Sequence, residues 1–460
     1  MQTGTVSSLT LHALGQRVRA RELRSADLVD ACLREIDRHR ALNAFITVTQ
    51  DAARSQAEQA DREIAAGRYR GPLHGIPVSL KDLIDVAGLP TTAASRVREG
   101  HRAAADAPVV SRLRQAGAVL IGKTNLHEFA FGTTTEDSAF GAAHNPFDPS
   151  RSPGGSSGGS AIAVSTGMSV ASVGTDTGGS IRIPSAACGI VGLKPTAGEI
   201  PVEGVVPLSR TLDHVGPMTR SVLDAALMYE ALSGRMSSAA EWTPAAAPLH
   251  FVVPVPFYLD RLDPDVRARF EETCRHLEDA GHRVTRGAIE HATFVPAVYL
   301  HIVMAEAMEY HAATLDAVPE KYVPGVRTRL EMGRYILGED YVRAMRGRDV
   351  LIKAVDASLA DADALLLPSL AIPAPPLGAA SVEIEGVKEA VRGLTLKLTQ
   401  TFNITGHPAL SLPMGVTRDN LPCGCQIAAR RGATRELLRI ALACEAQIGP
   451  GPGSVGGGTG

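Results

Sequence analysis

From residue 70 onward, short apolar runs of strand length alternate with stretches of helical period. GIPVSL, AVLIG, SVASVGTD and GIVGLK are strand-like. PVVSRLRQAG and RSVLDAALMYEAL instead repeat apolar residues at three- and four-residue spacing. Runs that are apolar on both faces need cover on both faces, and the intervening helices supply it. The expected class is therefore α/β: a large, twisted mixed β-sheet with α-helices on both faces.

Either side of this block the texture differs. Residues 8–66 read as three helices, LTLHALGQRV, ADLVDACLREIDRHR with Ser25 as its cap, and DAARSQAEQADREIAA. Residues 1–69 thus form a helical segment packed on the core. An Ala/Pro-rich connection near 240–250 leads into the strand HFVVPV and the helix DPDVRARFEETCRHLEDAG. A helix-rich, variable section occupies 290–355. Strand candidates return in DADALLLPSL and CGCQIAA, before the helix TRELLRIALACEAQ. Strand material on both sides of the helical section favours one domain, 70–447, with its core in 70–230. The Gly-rich tail 448–460 has almost nothing to bury and is expected to be disordered.

The chain has 460 residues and a net charge of −3, with both signs dispersed, so no basic footprint for nucleic acid or anionic lipid exists. The start, MQTGTVSS, lacks a basic, then apolar, leader, and no apolar run has membrane-spanning length. A soluble cytoplasmic protein, monomer or homodimer, acting on a small molecule is expected. Six irregularly spaced cysteines suit reduced thiols. Cys423 and Cys425 form a lone C-x-C that fits strand packing better than a metal site.

Several strings imitate well-known sites. GAVLIGKT (117–124) satisfies the phosphate-loop pattern, yet its four middle residues are a buried strand, where backbone N–H groups cannot converge on phosphate. DTG (176–178) occurs once, whereas aspartic proteases need two carboxylates. GSSGG (155–159) matches the nucleophile elbow of α/β-hydrolases around Ser157, with His407 as a late histidine. A loop, not an apolar strand, precedes it, and no acid partner for His407 is evident.

One constellation is stronger. GTDTGGSIRIPSAACGIVGLKPT (174–196), with SPGGSSGGSA (152–161) and the lysine of IPVSLKD, resembles the amidase signature family. Further matches are GAVLIGKTNLHEFAFG, NPFDPSRSPGG, TLDHVGPMTRSV and FNITGHPALSLPMG, so the resemblance spans roughly 8–447. It implies the fold of that family and a Ser-cisSer-Lys triad in which Lys81, Ser156 and Ser180 take the three places, at intervals of 75 and 24 residues. It further implies a cis peptide bond between Gly155 and Ser156, and a supporting shell of Ser157, Asp176 and Arg182. No metal or cofactor is implied.

The residue types carry this chemistry on their own terms. A serine hydroxyl needs a base, and lysine is a base only when neutral. Bringing lysine from about 10.4 to near 7 disfavours its charge by on the order of 4 to 5 kcal/mol, through burial and nearby positive potential. The flank IPVSL supplies burial, provided Asp82 points away. Thr177, Gly178 and Gly179 precede Ser180, and can turn N–H groups toward an oxyanion, each worth about 3 kcal/mol in the transition state.

The implied reaction is amide hydrolysis through a Ser180 acyl-enzyme, on an aryl or small amide, with esters and carbamates (urethanes) chemically open as well. A second reading is the glutamine-hydrolysing subunit of a tRNA-dependent amidotransferase; for it, Arg327 and Arg329 have the chemistry to hold a glutamine carboxylate. Substrate choice is expected in 125–145, in 206–214 and in the helices of 295–345. Phe129, Phe131 and Phe140 suggest an apolar acyl pocket, with Thr133 and Arg210 as further contacts. Asp137 stands where the resemblance leads one to expect asparagine.

Overall fold

The structure, a computed structural model, describes residues 9–235, 238–246 and 248–448. The expected disordered tail lies, from 449 on, outside the described residues. At the N-terminal end, α1 (Leu11–Arg19) and α2 (Ser25–Arg38) form where the apolar spacing predicts them. Ser25 is not the cap of α2. It is the first helical residue, and its hydroxyl donates to the Gly75 carbonyl at 2.7 Å. The open N–H groups of Ser25 and Ala26 are instead met by the Asp61 carboxylate, at 2.7 and 3.2 Å. A capping acceptor need not be local, because any carboxylate held there satisfies the same donors. Asp61 belongs to α3 (Gln50–Ala65), and between α2 and α3 runs a strand that the sequence pattern did not predict, β1 (Phe45–Val48).

The central block then follows the alternation. It contains β2 (Pro77–Lys81), α4 (Pro108–Gln115), β3 (Val119–Thr124), α5 (Gly158–Ser165), β4 (Ala171–Asp176), α6 (Arg182–Ala187), β5 (Val191–Lys194), β6 (His214–Thr219) and α7 (Val222–Ser233). After it come β7 (His250–Pro254), α8 (Pro264–Asp279) and β8 (Arg283–Gly287), then three long helices, α9 (Val295–Ala317), α10 (Pro324–Gly333) and α11 (Gly338–Ser358). The chain returns to the sheet in β9 (Ala364–Pro368), makes a small hairpin of β10 (Ser381–Ile384) and β11 (Val387–Ala390), and forms α12 (Val391–Leu396) and α13 (Gln400–Thr405). It closes with β12 (Ala409–Val416), β13 (Pro422–Ala428) and α14 (Thr434–Ile448).

Eleven strands make one mixed sheet in the order β1-β3-β2-β4-β6-β5-β12-β13-β9-β7-β8. Pairing is parallel for β3-β2-β4 and for β9-β7-β8, and antiparallel through the middle. Segments more than 200 residues apart are neighbours in it, as where Leu193 of β5 pairs with Leu410 of β12. The sheet and its covering helices enclose the main core. A second core lies under α9, α10 and α11, where Ile302, Val326 and Leu351 pack with Phe129 and Phe131 of the loop after β3.

Two parallel neighbours set the site. Leu80 of β2 is opposite Val173 of β4, so the strand ends Lys81 and Asp176 emerge at the same edge, where loops rather than ladder bonds follow. Cys423 and Cys425 are buried in β13. Among the described residues no helix is long and apolar enough to cross a membrane.

Candidate active site

Lys81 ends β2 with no exposed surface. Its Nζ donates to Ser156 Oγ at 2.7 Å and to Thr175 Oγ1 at 2.8 Å. Burial pushes the ammonium down to about 7, while Asp176 and Asp213 pull it the other way. The depression therefore comes from desolvation; the expected help from positive neighbours is absent, since the charges that bear on Lys81 are carboxylates. Asp82 does point away. It pairs with Lys123 at 2.8 Å and accepts from the N–H and hydroxyl of Thr92. The lysine of the phosphate-loop string is thus the partner that holds Asp82 away from Lys81, and its glycine-flanked middle is β3 itself.

The Gly/Ser loop is held by a neighbour in the loop after β3. The Thr135 hydroxyl donates to the Gly154 carbonyl at 2.8 Å and accepts from Gly158 N–H at 3.2 Å, and His127 N–H donates to the Ser156 carbonyl at 3.1 Å. The Gly155–Ser156 peptide is cis. A side chain at 155 would place Cβ 2.8 Å from both Thr134 N and Thr135 Oγ1, so glycine is needed for this close approach. The Ser157 hydroxyl donates to the Thr175 carbonyl at 3.1 Å. His407, for which the sequence suggested no acid, has one in Asp356 at 3.0 Å, and its other ring nitrogen meets Thr405 at 2.9 Å. Both of its nitrogens are occupied away from Ser157.

Ser180 follows β4 through the turn Thr177-Gly178-Gly179. Ser157 N–H donates to the Ser180 carbonyl at 3.3 Å, which joins the backbones on either side of the two serines. Ser180 keeps 5% exposure where Lys81 and Ser156 keep none, and its hydroxyl makes no hydrogen bond among the described residues. The N–H groups of Thr177, Gly178 and Gly179 likewise meet no acceptor among the described residues. Free donors on a glycine turn are what an anionic oxygen requires.

That turn is clamped from several elements. Thr177 Oγ1 donates to Asp213 at 2.5 Å, and Thr399 Oγ1 donates to the Gly178 carbonyl at 2.6 Å. Burial pushes Asp213 up to about 6 against the bonds from Thr177, Leu208 and Ser209. Beneath it, Arg182 grips Asp176 through Nε at 3.1 Å and Nη2 at 2.9 Å, and reaches Thr399, Asn403 and Gln426. Burial alone would raise the Asp176 carboxyl. The Arg182 charge and the bonds from Arg182 and Asn403 outweigh it and hold Asp176 well below the usual carboxylate range. Thr175, Asp213, Asn403 and Gln426 lay within strings noted in the sequence without being singled out, and Thr399 carried no signal at all.

Gly179 has φ +137°, and a Cβ there would lie 2.2 Å from Thr399 Oγ1. Gly179→Ala is expected to tilt the turn and lower kcat by about 100- to 1000-fold, as loss of one oxyanion donor does, with KM less affected. Steady-state kinetics on any turned-over amide checks this; unchanged kcat contradicts it.

The expected pocket residues divide. Phe129 is buried against His311, 4.3 Å between ring centroids, and Tyr322, so its ring serves the second core. Phe131 is buried beneath Arg329 and Arg392, and Thr133 accepts a bond from Thr395 at 3.0 Å. Phe140 is 44% exposed. Arg210 makes a 3.8 Å ion pair with Glu309 in which both side chains are 69% exposed, a surface contact. Asp137 faces Arg329 and His127, each at 3.3 Å.

Comparison with known proteins gives the family of the chain. The sequence model of the Amidase family matches residues 27–438. An amidase of Pseudomonas putida is 39% identical over 456 residues, 96% of each chain. A glutamyl-tRNA(Gln) amidotransferase subunit of Koribacter versatilis is 33% identical, over 96% of this chain and 98% of its own. A crystal structure of an amidase superposes with a TM-score of 0.91 at 37% identity, covering 96% of this chain and all of the other. With the large mixed sheet and the matched strings in place, the chain belongs to the amidase family, the enzymes of the amidase signature.

Proposed function

We propose that the protein is a free-standing amidase in which Ser180 attacks a carboxylic amide. Neutral Lys81 takes a proton from Ser156, which takes one from Ser180. The N–H groups of Thr177, Gly178 and Gly179 receive the oxyanion. Ser156 then returns a proton to the departing amine, and water releases the acid from the acyl-enzyme. The contact that carries this reading is the buried 2.7 Å bond between Lys81 and Ser156, with the lysine near 7. The Ser156 to Ser180 link is the one that substrate must close, because catalytic hydrogen bonds often tighten only when the site is occupied.

A free-standing enzyme is favoured over an amidotransferase component by the two arginines considered for glutamine. Arg327 is paired with Glu331 at 2.7 Å, and Arg329 is engaged by Asp137 and His127. Purified protein alone should hydrolyse members of a panel of aryl amides, primary amides, esters and carbamates. Glutamine turnover that appears only with added partner subunits would establish the other reading.

The pH profile follows from the sign of the lysine shift. Only neutral Lys81 accepts a proton, so log kcat/KM should rise with unit slope below about pH 7 and level off above it. A rate that falls across this interval as pH rises would place the base elsewhere.

A further inference from the structure

The lysine of the phosphate-loop string has a place in the electrostatics of the base. β2 and β3 run parallel, with Leu80 opposite Lys123 and Lys81 opposite Thr124. Side chains alternate along a strand, so Lys81 and Thr124 share one face of the sheet while Leu80 and Lys123 share the other. Asp82, one residue past β2, lies on the Lys123 side and meets its Nζ at 2.8 Å. Neither side chain keeps more than 1% exposure.

The pair is fixed by its surroundings. Asp82 Oδ2 accepts from the N–H and the hydroxyl of Thr92, and Oδ1 accepts from Lys123. Beyond Asp82, Lys123 Nζ donates to the Pro90 carbonyl at 3.1 Å and to Thr91 Oγ1 at 3.2 Å, which uses all the protons of an ammonium. Asp85 and Arg98 also bear on Lys123, with opposite signs, and Arg98 is itself bonded to the Thr91 carbonyl at 2.9 Å.

Lys81 lacks a counter-ion of this kind. Its Nζ bonds to the hydroxyls of Ser156 and Thr175, and the charges that bear on it are the carboxylates of Asp176 and Asp213. Arg182 compensates Asp176, and Lys123 compensates Asp82. An uncompensated carboxylate on the residue next to Lys81 would hold a proton on the lysine over the range in which a base has to be neutral, because charges are poorly screened where water is excluded.

We infer that Lys123 is a positioning residue for the proton relay: by pairing with Asp82 on the far face of the sheet it cancels the carboxylate next to Lys81, and so sets the pH range in which Lys81 works as the base. The inference rests on the reading of Lys81 as that base. The same pairing explains why an aspartate can follow a lysine that must lose its charge.

The test reads Lys81 directly. The chain has seven lysines, so carbon-13 labelling at lysine Cε gives an NMR spectrum in which Lys81 is assigned by its absence from Lys81→Met. Titration of purified full-length protein is followed by the Cε shift, and log kcat/KM for a hydrolysed amide is measured over the same pH range. Lys123→Met strands the Asp82 carboxylate and should raise the Lys81 midpoint by about half a pH unit or more, with the acid limb of log kcat/KM moving up alongside. Asp82→Asn leaves the Lys123 ammonium unpaired and should move both the other way. Asp82→Asn/Lys123→Met removes both charges and should restore the wild-type midpoint. Lost packing does not produce opposite displacements that cancel in the double variant. Midpoints unchanged in the single variants, or displaced in one direction in all three, overturn the inference. Should Lys123→Met fail to fold, a lowered midpoint in Asp82→Asn with a wild-type midpoint in the double variant supports it, and equal midpoints in wild type and Asp82→Asn overturn it. Midpoints that move as expected while kcat/KM does not follow them support the charge pairing and refute Lys81 as the base.

Discussion

Ser180→Ala is expected to reduce amide hydrolysis by about ten-thousand-fold or more while leaving the fold and its stability intact. The magnitude follows from losing the nucleophile of a covalent mechanism, where the remaining oxyanion donors and binding contacts sustain only residual catalysis. The stability claim follows from the surroundings. The hydroxyl has no hydrogen-bond partner among the described residues, and the backbone bond from Ser157 to the Ser180 carbonyl survives the substitution. Ser156→Ala and Lys81→Ala should each impair acylation too, because either breaks the proton path. Ser157→Ala differs: its hydroxyl holds the Thr175 carbonyl, so a smaller loss of activity is expected. If Ser157→Ala were the dead variant and Ser180→Ala active, the elbow reading would replace the relay.

The second large effect concerns the ion pair beneath the turn. Arg182 and Asp176 are both fully buried, and the guanidinium also satisfies the Thr399 carbonyl and the side chains of Asn403 and Gln426. Arg182→Met leaves the Asp176 carboxylate buried without its cation, which costs on the order of 3 to 5 kcal/mol in folding stability. It also frees the segments that fix the oxyanion turn, so activity should fall in whatever protein stays folded. Adding Asp176→Asn removes the stranded charge and should restore part of the stability, because the two residues act as one unit. Denaturant titration of both single variants and the double variant reads this directly. Additive losses would show that the pair is not coupled as the geometry requires.

Much of this was visible in the sequence, for identifiable reasons. β2, β3, β4, β5, β7, β9 and β13 are apolar runs bounded by turn residues, and their local pattern suffices. β6 was hidden because HVGPMT carries a glycine and a proline, both poor strand signals. β12 contains Pro413, tolerated where its register with β13 shifts before Val416. β1 and β8 are the two edges of the sheet, short or charged as edges tend to be, and resemble loops when read locally. GGSAIAVS in α5 is buried on every side, so it shows no helical period.

The site divides the same way. Lys81, Ser156 and Ser180 stood in strings that resembled a family. Thr399, Asn403 and Gln426 approach the turn and the ion pair beneath it from more than 200 residues away, and no local spacing encodes such an approach. The origin of the Lys81 shift was legible in part: the burial expected from IPVSL is there, and the expected positive neighbours are not. Complete burial lowers it even against two carboxylates.

The central claim, that a neutral lysine works through Ser156 to activate Ser180, meets its most direct test in covalent labelling. The protein is treated with an aryl phosphonofluoridate, digested and sequenced by fragment-ion mass spectrometry. Arg151 and Arg182 bound a single tryptic peptide that holds Ser156, Ser157 and Ser180 together, so fragment ions must place the adduct. The account predicts one adduct on Ser180, forming faster as pH rises through about 7 and greatly slowed in Lys81→Ala. An adduct on Ser157, or labelling of Ser180 indifferent to Lys81, would contradict it.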